Sequence, residues 1–182
     1  PPAQILSSLP QAVATMLDPG DCGPAFIGLP QDIAAEAYDF PEAFFDTHVH
    51  TIPRPRPDLT QLAKAVAAIR SAKRPVIIAG GGVHYSLAEA ELAAFAEKCG
   101  IPVVETVAGK SSLLSDHPCY SGPLGVTGAE AANAVVSKAD VVLAVGTRLE
   151  DFTTGSWTLF DADTTFVGIN AARFDAMKHQ SL

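Results

Sequence analysis

From Leu59 onward the chain repeats one pattern, and that pattern leaves few folds open. A short aliphatic run ends at a chain-turning residue and is followed by a stretch with helical spacing. Pro75-Val-Ile-Ile-Ala79 runs into Gly80-Gly81-Gly82, and Val103-Val-Glu-Thr-Val107 follows. Val141-Val-Leu-Ala-Val145 stops at Gly146, and Thr165-Thr-Phe-Val-Gly-Ile169 stops at Asn170. Strands this continuously apolar have no face to offer water, so they must be covered on both sides. Between them lie helical stretches. Leu59, Leu62, Val66 and Ile69 form a stripe that Asp58 or Thr60 can cap. Ser86 and Glu89 make a capping box for a helix closed by Gly100, and Thr127 and Glu130 make another for a helix through Ala139. Strands alternating with helices predict a doubly wound α/β domain over residues 59–182, with a parallel sheet of about six strands.

The first 58 residues read differently. Leu6, Leu9, Val13 and Leu17 mark one helical face, Asp18-Pro-Gly-Asp21 breaks that helix, and Pro24–Leu29 is expected to be a short apolar strand. One helix and one strand cannot bury each other, so residues 1–45 are expected to be the tail of another domain. Pro53, Pro55 and Pro57 favour polyproline geometry, which makes 46–58 a linker. Charge divides the same way: residues 1–58 hold eight carboxylates against two arginines, −6 of the total −8.

Composition narrows the function classes. Apolar residues at 48% provide a core and exclude disorder, while a pI near 4.9 argues against nucleic acid and membrane surfaces as partners. No apolar run approaches the roughly 18 residues of a membrane span, and the first residues lack the pattern of a signal peptide. Cys22, Cys99 and Cys119 form no CxxC, which fits a reducing, cytoplasmic setting.

Four segments carry candidate chemistry. Gly80-Gly81-Gly82 stands between strand and helix, where a Rossmann-like fold binds a pyrophosphate, although the spacing is not G-x-G-x-x-G. Glycine there serves equally a tight structural turn or a ligand cradle. Gly109-Lys110-Ser111 lacks the earlier glycine of a P-loop, since that position is Val104. His48 and His50 have metal-ligand spacing but lead into Arg54-Pro-Arg-Pro57, so they read as solvated linker histidines. The segment Gly146-Thr147-Arg148-Leu149-Glu150-Asp151-Phe152-Thr153-Thr154-Gly155 leaves the carboxyl end of a strand and is too polar for a plain connector. It serves either a ligand or an arginine–carboxylate interface.

Taken together, GGG after a strand, then SSLLSDHPCYSGPLGVTGAEAAN, then ADVVLAVGTRLEDFTTG resemble the central domain of thiamine diphosphate-dependent enzymes of the acetohydroxyacid synthase group. Gly23–Ile33 resembles the last strand of that group's pyrimidine-binding domain. Within the group, LPQDIAAEAYDFPEAFF, RPRPDLTQL, AGKSSLLSDHP and GTRLEDFTTGSWTLF are most similar to the branch that hydrolytically opens a cyclic 1,2-dione in inositol catabolism.

The resemblance implies that this chain is a fragment. The parent uses thiamine diphosphate and Mg²⁺, held between a pyrimidine-binding domain and a pyrophosphate-binding domain with a GDG motif; no GDG occurs here. The partners implied are those two domains of the parent, in a homo-oligomer, and no catalytic residue is assigned in this chain. Gly80, Gly81, Gly82, Gly146, Thr147 and Arg148 match the crevice that holds FAD or ADP in relatives. Leu149, Glu150, Phe152 and Thr153 depart from the flavin-contacting pattern, so FAD is not expected and Arg148 is expected in an internal ion pair. Two alternatives stand beside this reading. One is a flavin- or ADP-binding synthase-like domain. The other is an NAD-dependent oxidoreductase, which needs an acidic residue at the end of the second strand to hold a ribose; Glu105 falls short of that end, since Thr106 and Val107 follow it in the expected strand.

Overall fold

The structure, a computed structural model, describes residues 1–177. The chain forms two compact units, Pro1–Arg54 and the remainder from Pro55. The expected end of the α/β domain, residues 178–182, lies outside the described residues.

In the first unit, helix α1 (Ile5–Leu17) ends at Asp18. The Asp18 carboxylate accepts the N–H groups of Gly20 (2.8 Å) and Asp21 (2.7 Å), and these bonds hold its pKa below the usual carboxylate range. Pro24–Leu29 does not form the expected strand. It joins no ladder and runs beside α1, the two lining an open groove of ≈ 420 Å³. An apolar run becomes a strand only where another strand takes up its backbone groups, and none is adjacent among the described residues. A one-turn helix α2 (Gln31–Ala34) and a 3₁₀ turn at Glu42–Phe45 follow, with Tyr38, Phe40, Phe44 and Phe45 clustered edge-to-face and stacked at 4.8–6.2 Å between ring centroids.

The second unit begins with α3 (Leu59–Ser71), whose start is capped by Asp58 accepting the Gln61 N–H at 3.0 Å. Then come β1 (Pro75–Ala79), α4 (Gly82–Tyr85), α5 (Glu89–Cys99), β2 (Val103–Glu105), β3 (Tyr120–Pro123) and α6 (Glu130–Ser137). The series ends with β4 (Val141–Val145), α7 (Asp151–Thr154), β5 (Thr165–Ile169) and α8 (Arg173–Met177). The five strands are all parallel in the order β3-β2-β1-β4-β5, with β1 and β4 central. Alternate residues of each strand feed two cores. Ile77, Val103, Leu143 and Val167 pack with Leu92 and Ala96 of α5 and with Ala65 and Ile69 of α3. Val76, Ile78, Val142 and Ala144 pack with Ala132 and Val136 of α6 and with Leu159 and Phe160. Asp140 fastens the edge where the strands begin: its carboxylate accepts the N–H groups of Lys73 (2.7 Å) and Arg74 (2.9 Å), one strand over.

Four local expectations are corrected. The second strand stops at Glu105, because the chain turns at once: Gly109 N–H returns to the carbonyl and hydroxyl of Thr106, both at 3.0 Å. Tyr120–Pro123 supplies an edge strand that no apolar pattern announces. The Ser86 box does not form, since Ala88 is the N-cap of α5 and the Glu89 carboxylate goes to His84 instead. The Thr127 box does not form either. Helix α6 starts after Ala129, whose N–H bonds the Pro123 carbonyl at 2.8 Å, and it ends at Ser137 rather than Ala139.

Ile77 is fully buried in the centre of β1. Ile77→Ala is expected to cost about 2–5 kcal/mol in urea unfolding, the range for emptying a core aliphatic position.

Candidate functional site

Between β1 and β4 the strand order reverses, and open α/β sheets bind ligands at the carboxyl ends of strands at such a point. The structure brings Gly80, Gly82, Gly146 and Thr147 together there. The Gly80 N–H donates to the Val145 carbonyl (2.8 Å), Gly82 N–H to the Gly146 carbonyl (2.9 Å), and Gly146 N–H to the Ile169 carbonyl (2.7 Å). A Cβ on Gly80 would strike the Gly146 carbonyl and stand 2.6 Å from the Thr147 Cβ; one on Gly82 would stand 2.5 Å from the Gly146 Cα. Gly81 faces Ala108, and Gly109 abuts the Ala79 carbonyl. The triple glycine therefore lets two strand exits touch backbone to backbone. The amides of Gly80 and Gly82 donate to protein carbonyls, and α4 behind them is a single turn.

Arg148 pairs with carboxylates. Its Nε lies 3.3 Å from Asp175 of α8 and its Nη1 3.8 Å from Glu150; the pair is internal, but Asp175 takes the place expected of Asp151. Thr147 ties the exits of β4 and β5: its carbonyl accepts the Asn170 side-chain N–H at 3.0 Å, and its hydroxyl accepts the Leu149 N–H at 3.2 Å. Leu149 is buried in a left-handed conformation (φ 48°). The enclosed space beneath, lined by Thr147, Phe166, Asn170 and Asp175, measures ≈ 10 Å³, which is room for one water.

A second constellation was not visible in the sequence, because it draws on three separated segments. His84 of α4 places Nδ1 2.8 Å from the Glu89 carboxylate and Nε2 3.0 Å from the Lys110 carbonyl, with the Ser112 hydroxyl 3.4 Å from the same Nε2. The line Ser112–His84–Glu89 looks like a nucleophile relay, and the geometry argues against one. A base needs a free lone pair on Nε2, yet both ring nitrogens face acceptors, which favours the imidazolium. Ser112 is also buried. The Glu89 carboxylate raises the His84 pKa foremost, with help from the Lys110 carbonyl and Glu105, and His84 in turn lowers that of Glu89. The result is a latch, an ion pair when His84 is protonated, that joins α4 and the start of α5 to the turn after β2.

Glu105 completes this neighbourhood. It is the last residue of β2 after all, but its fully buried side chain turns into the core. Oε1 accepts the Leu113 N–H at 3.0 Å, and Oε2 lies 3.7 Å from the Lys110 ammonium. That carboxylate is buried, with Oε1 bonded to the chain and Oε2 without a hydrogen-bond partner among the described residues, and it does not face solvent to meet a ribose. His48 and His50 are exposed, with ring centroids 6.5 Å apart. Among the described residues no group of three His, Cys, Asp or Glu could hold a metal, and no helix is long and apolar enough to cross a membrane.

This order of strands, with glycine-closed exits, defines a Rossmann-like central domain. The chain belongs to the family described as "Thiamine pyrophosphate enzyme, central domain", whose profile matches residues 62–181. Among curated proteins it is 47% identical over 178 residues to a 3D-(3,5/4)-trihydroxycyclohexane-1,2-dione hydrolase of Shouchella clausii, covering 97% of this chain and 28% of the relative. Proteins of the same name from Clostridium perfringens (45% over 178 residues; 97% and 28%) and Bacillus cereus (46% over 182 residues; 100% and 28%) are similar to it too. The chain thus spans 28% of the length of the curated relatives it matches.

The latch makes stability depend on pH. His84 is more basic when folded, so its contribution is complete below the ordinary imidazole value of 6.5 and is lost as pH rises through the raised one. Glu89 is more acidic when folded, so its part is complete above 4.5 and fades as pH falls through the lowered value. Thermal midpoints of the wild type are expected to fall between about pH 6 and about pH 9, and those of His84→Gln to stay level across the same range. Parallel slopes would show that the latch is not charged.

Proposed function

We propose that this chain is the central portion of a thiamine diphosphate-dependent hydrolase that opens the ring of 3D-(3,5/4)-trihydroxycyclohexane-1,2-dione in inositol catabolism. The observation that carries this is identity of 45–47% to proteins of that name across 97–100% of the chain. On this reading residues 1–45 end the pyrimidine-binding domain, 46–58 link, and 59–182 form the central domain. The parent works as a homo-oligomer in the cytoplasm.

The segment's own role is that of a scaffold and domain interface. The sequence holds no GDG motif, the segment to which the resemblance assigns Mg²⁺. Thiamine diphosphate and Mg²⁺ therefore belong to the parent's pyrimidine- and pyrophosphate-binding domains, which carry the catalytic residues. FAD is not a cofactor on this reading. The glycine junction has no free amide at Gly80 or Gly82 for a flavin diphosphate, and Arg148 is held by Asp175 and Glu150.

Ring opening is expected from the longer protein that carries this sequence, in the presence of thiamine diphosphate and Mg²⁺, and not from the 182-residue chain alone. The assay follows disappearance of the cyclic dione beside a visible absorption spectrum. A longer protein that instead joins two 2-oxo acids, or that shows stoichiometric flavin bands, would overturn the reading in favour of a synthase-like domain.

A further inference from the structure

His48 and His50 form a motif that the fold leaves unused. Their segment, 47–58, belongs to no helix or strand, and both side chains are exposed, as is Val49 between them at 90%. Among the described residues neither ring meets a hydrogen-bond or ion-pair partner; the ring contact of each is with the other. The other described histidines are unlike this. His84 faces acceptors at both ring nitrogens, and His117 accepts the Cys119 N–H at 3.1 Å on Nδ1. His48 and His50 each keep a ring nitrogen for a ligand from outside the chain.

The spacing suits a shared ion. Nitrogen–metal bonds of about 2.0–2.1 Å place an imidazole centroid about 3.2 Å from the metal, so two rings on one ion stand about 4.5 Å apart at a right angle and about 6.4 Å apart in line. The observed separation of 6.5 Å, with the ring planes at 46°, is the open end of that span. Rotation of either exposed side chain brings the rings together, since no neighbour holds them. The surrounding charge favours a cation: residues 1–58 carry eight carboxylates against Arg54 and Arg56. Imidazole donors select the later first-row ions over Mg²⁺ and Ca²⁺, which take oxygen ligands.

We propose that His48 and His50 form a two-imidazole surface site for a late first-row divalent metal ion, with water completing the coordination. Affinity should follow the usual order, Cu²⁺ above Ni²⁺ and Zn²⁺. The site needs only these two side chains of the first unit, so it stands apart from the reading of the longer protein.

Titration of the untagged 182-residue chain with Ni²⁺, followed by calorimetry and by NMR line broadening, tests this; Ni²⁺ is the probe because the exposed Cys22 thiol can reduce Cu²⁺. One Ni²⁺ per chain should bind and broaden the amide signals of Thr47–Thr51 first, while Mg²⁺ should give neither heat nor a change in those signals. His48→Asn and His50→Asn should each weaken Ni²⁺ binding by about a hundredfold, the loss expected when a two-point attachment becomes a single one. Both positions are exposed, so the circular dichroism of either variant should match the wild type. Broadening centred elsewhere, or single variants that bind Ni²⁺ as tightly as the wild type, would overturn the proposal. So would Ni²⁺-dependent dimerisation, which would put one imidazole from each of two copies on the ion.

Discussion

Everything at the carboxyl edge of this sheet depends on two strand exits touching without side chains between them. Gly80 and Gly82 press on Gly146 and Thr147, and the hydrogen bonds from Gly80 to Val145 and from Gly82 to Gly146 run through the contact. A methyl group at Gly80 or Gly82 would have nowhere to go, because its neighbours are backbone atoms that cannot swing aside. The exits of β1 and β4 meet there backbone to backbone.

Once that joint is closed, the surrounding chemistry turns inward. Arg148 finds carboxylates within its own unit, Glu105 is buried against Leu113 and Lys110, and His84 is shared between Glu89 and the Lys110 carbonyl. Each is a group that could serve a ligand on another scaffold. Here each fastens one strand exit or the segment after it to a neighbour. The strand exits are thereby braced against one another.

The parallel sheet was legible because the central strands β1 and β4 are apolar along their whole length and buried at four of five positions each, a pattern that double burial explains, whereas the edge strand β5 buries only Val167. The β3 edge strand was not, since Tyr-Ser-Gly-Pro is held by its ladder to β2 and carries no burial signal of its own. Both capping boxes matched in sequence and failed in space: His84 took the carboxylate of one, and the Pro123 carbonyl set the start of the other helix. At the site, Gly80, Gly82, Gly146 and Thr147 stand together at the strand exits, and of the acidic neighbours of Arg148 only Glu150 pairs with it, its nearer partner Asp175 lying too far along the chain for spacing to announce it. The triple glycine stayed ambiguous because a phosphate and a second backbone ask the same thing of a residue, the absence of Cβ. Glu105 was misplaced by strand length, and the His84 latch, spread over residues 84–112, has no local spacing to betray it.

The joint itself can be observed directly through its amides. In a backbone-assigned NMR hydrogen-exchange experiment on the 182-residue chain, the N–H groups of Gly80 and Gly82 should exchange as slowly as those of central strand β1. Addition of ADP or FAD should leave their shifts and rates unchanged. Exchange of Gly80 and Gly82 at the rates of an open loop, or slowing of that exchange by a diphosphate ligand, would contradict the account and return the triple glycine to the role of a cradle.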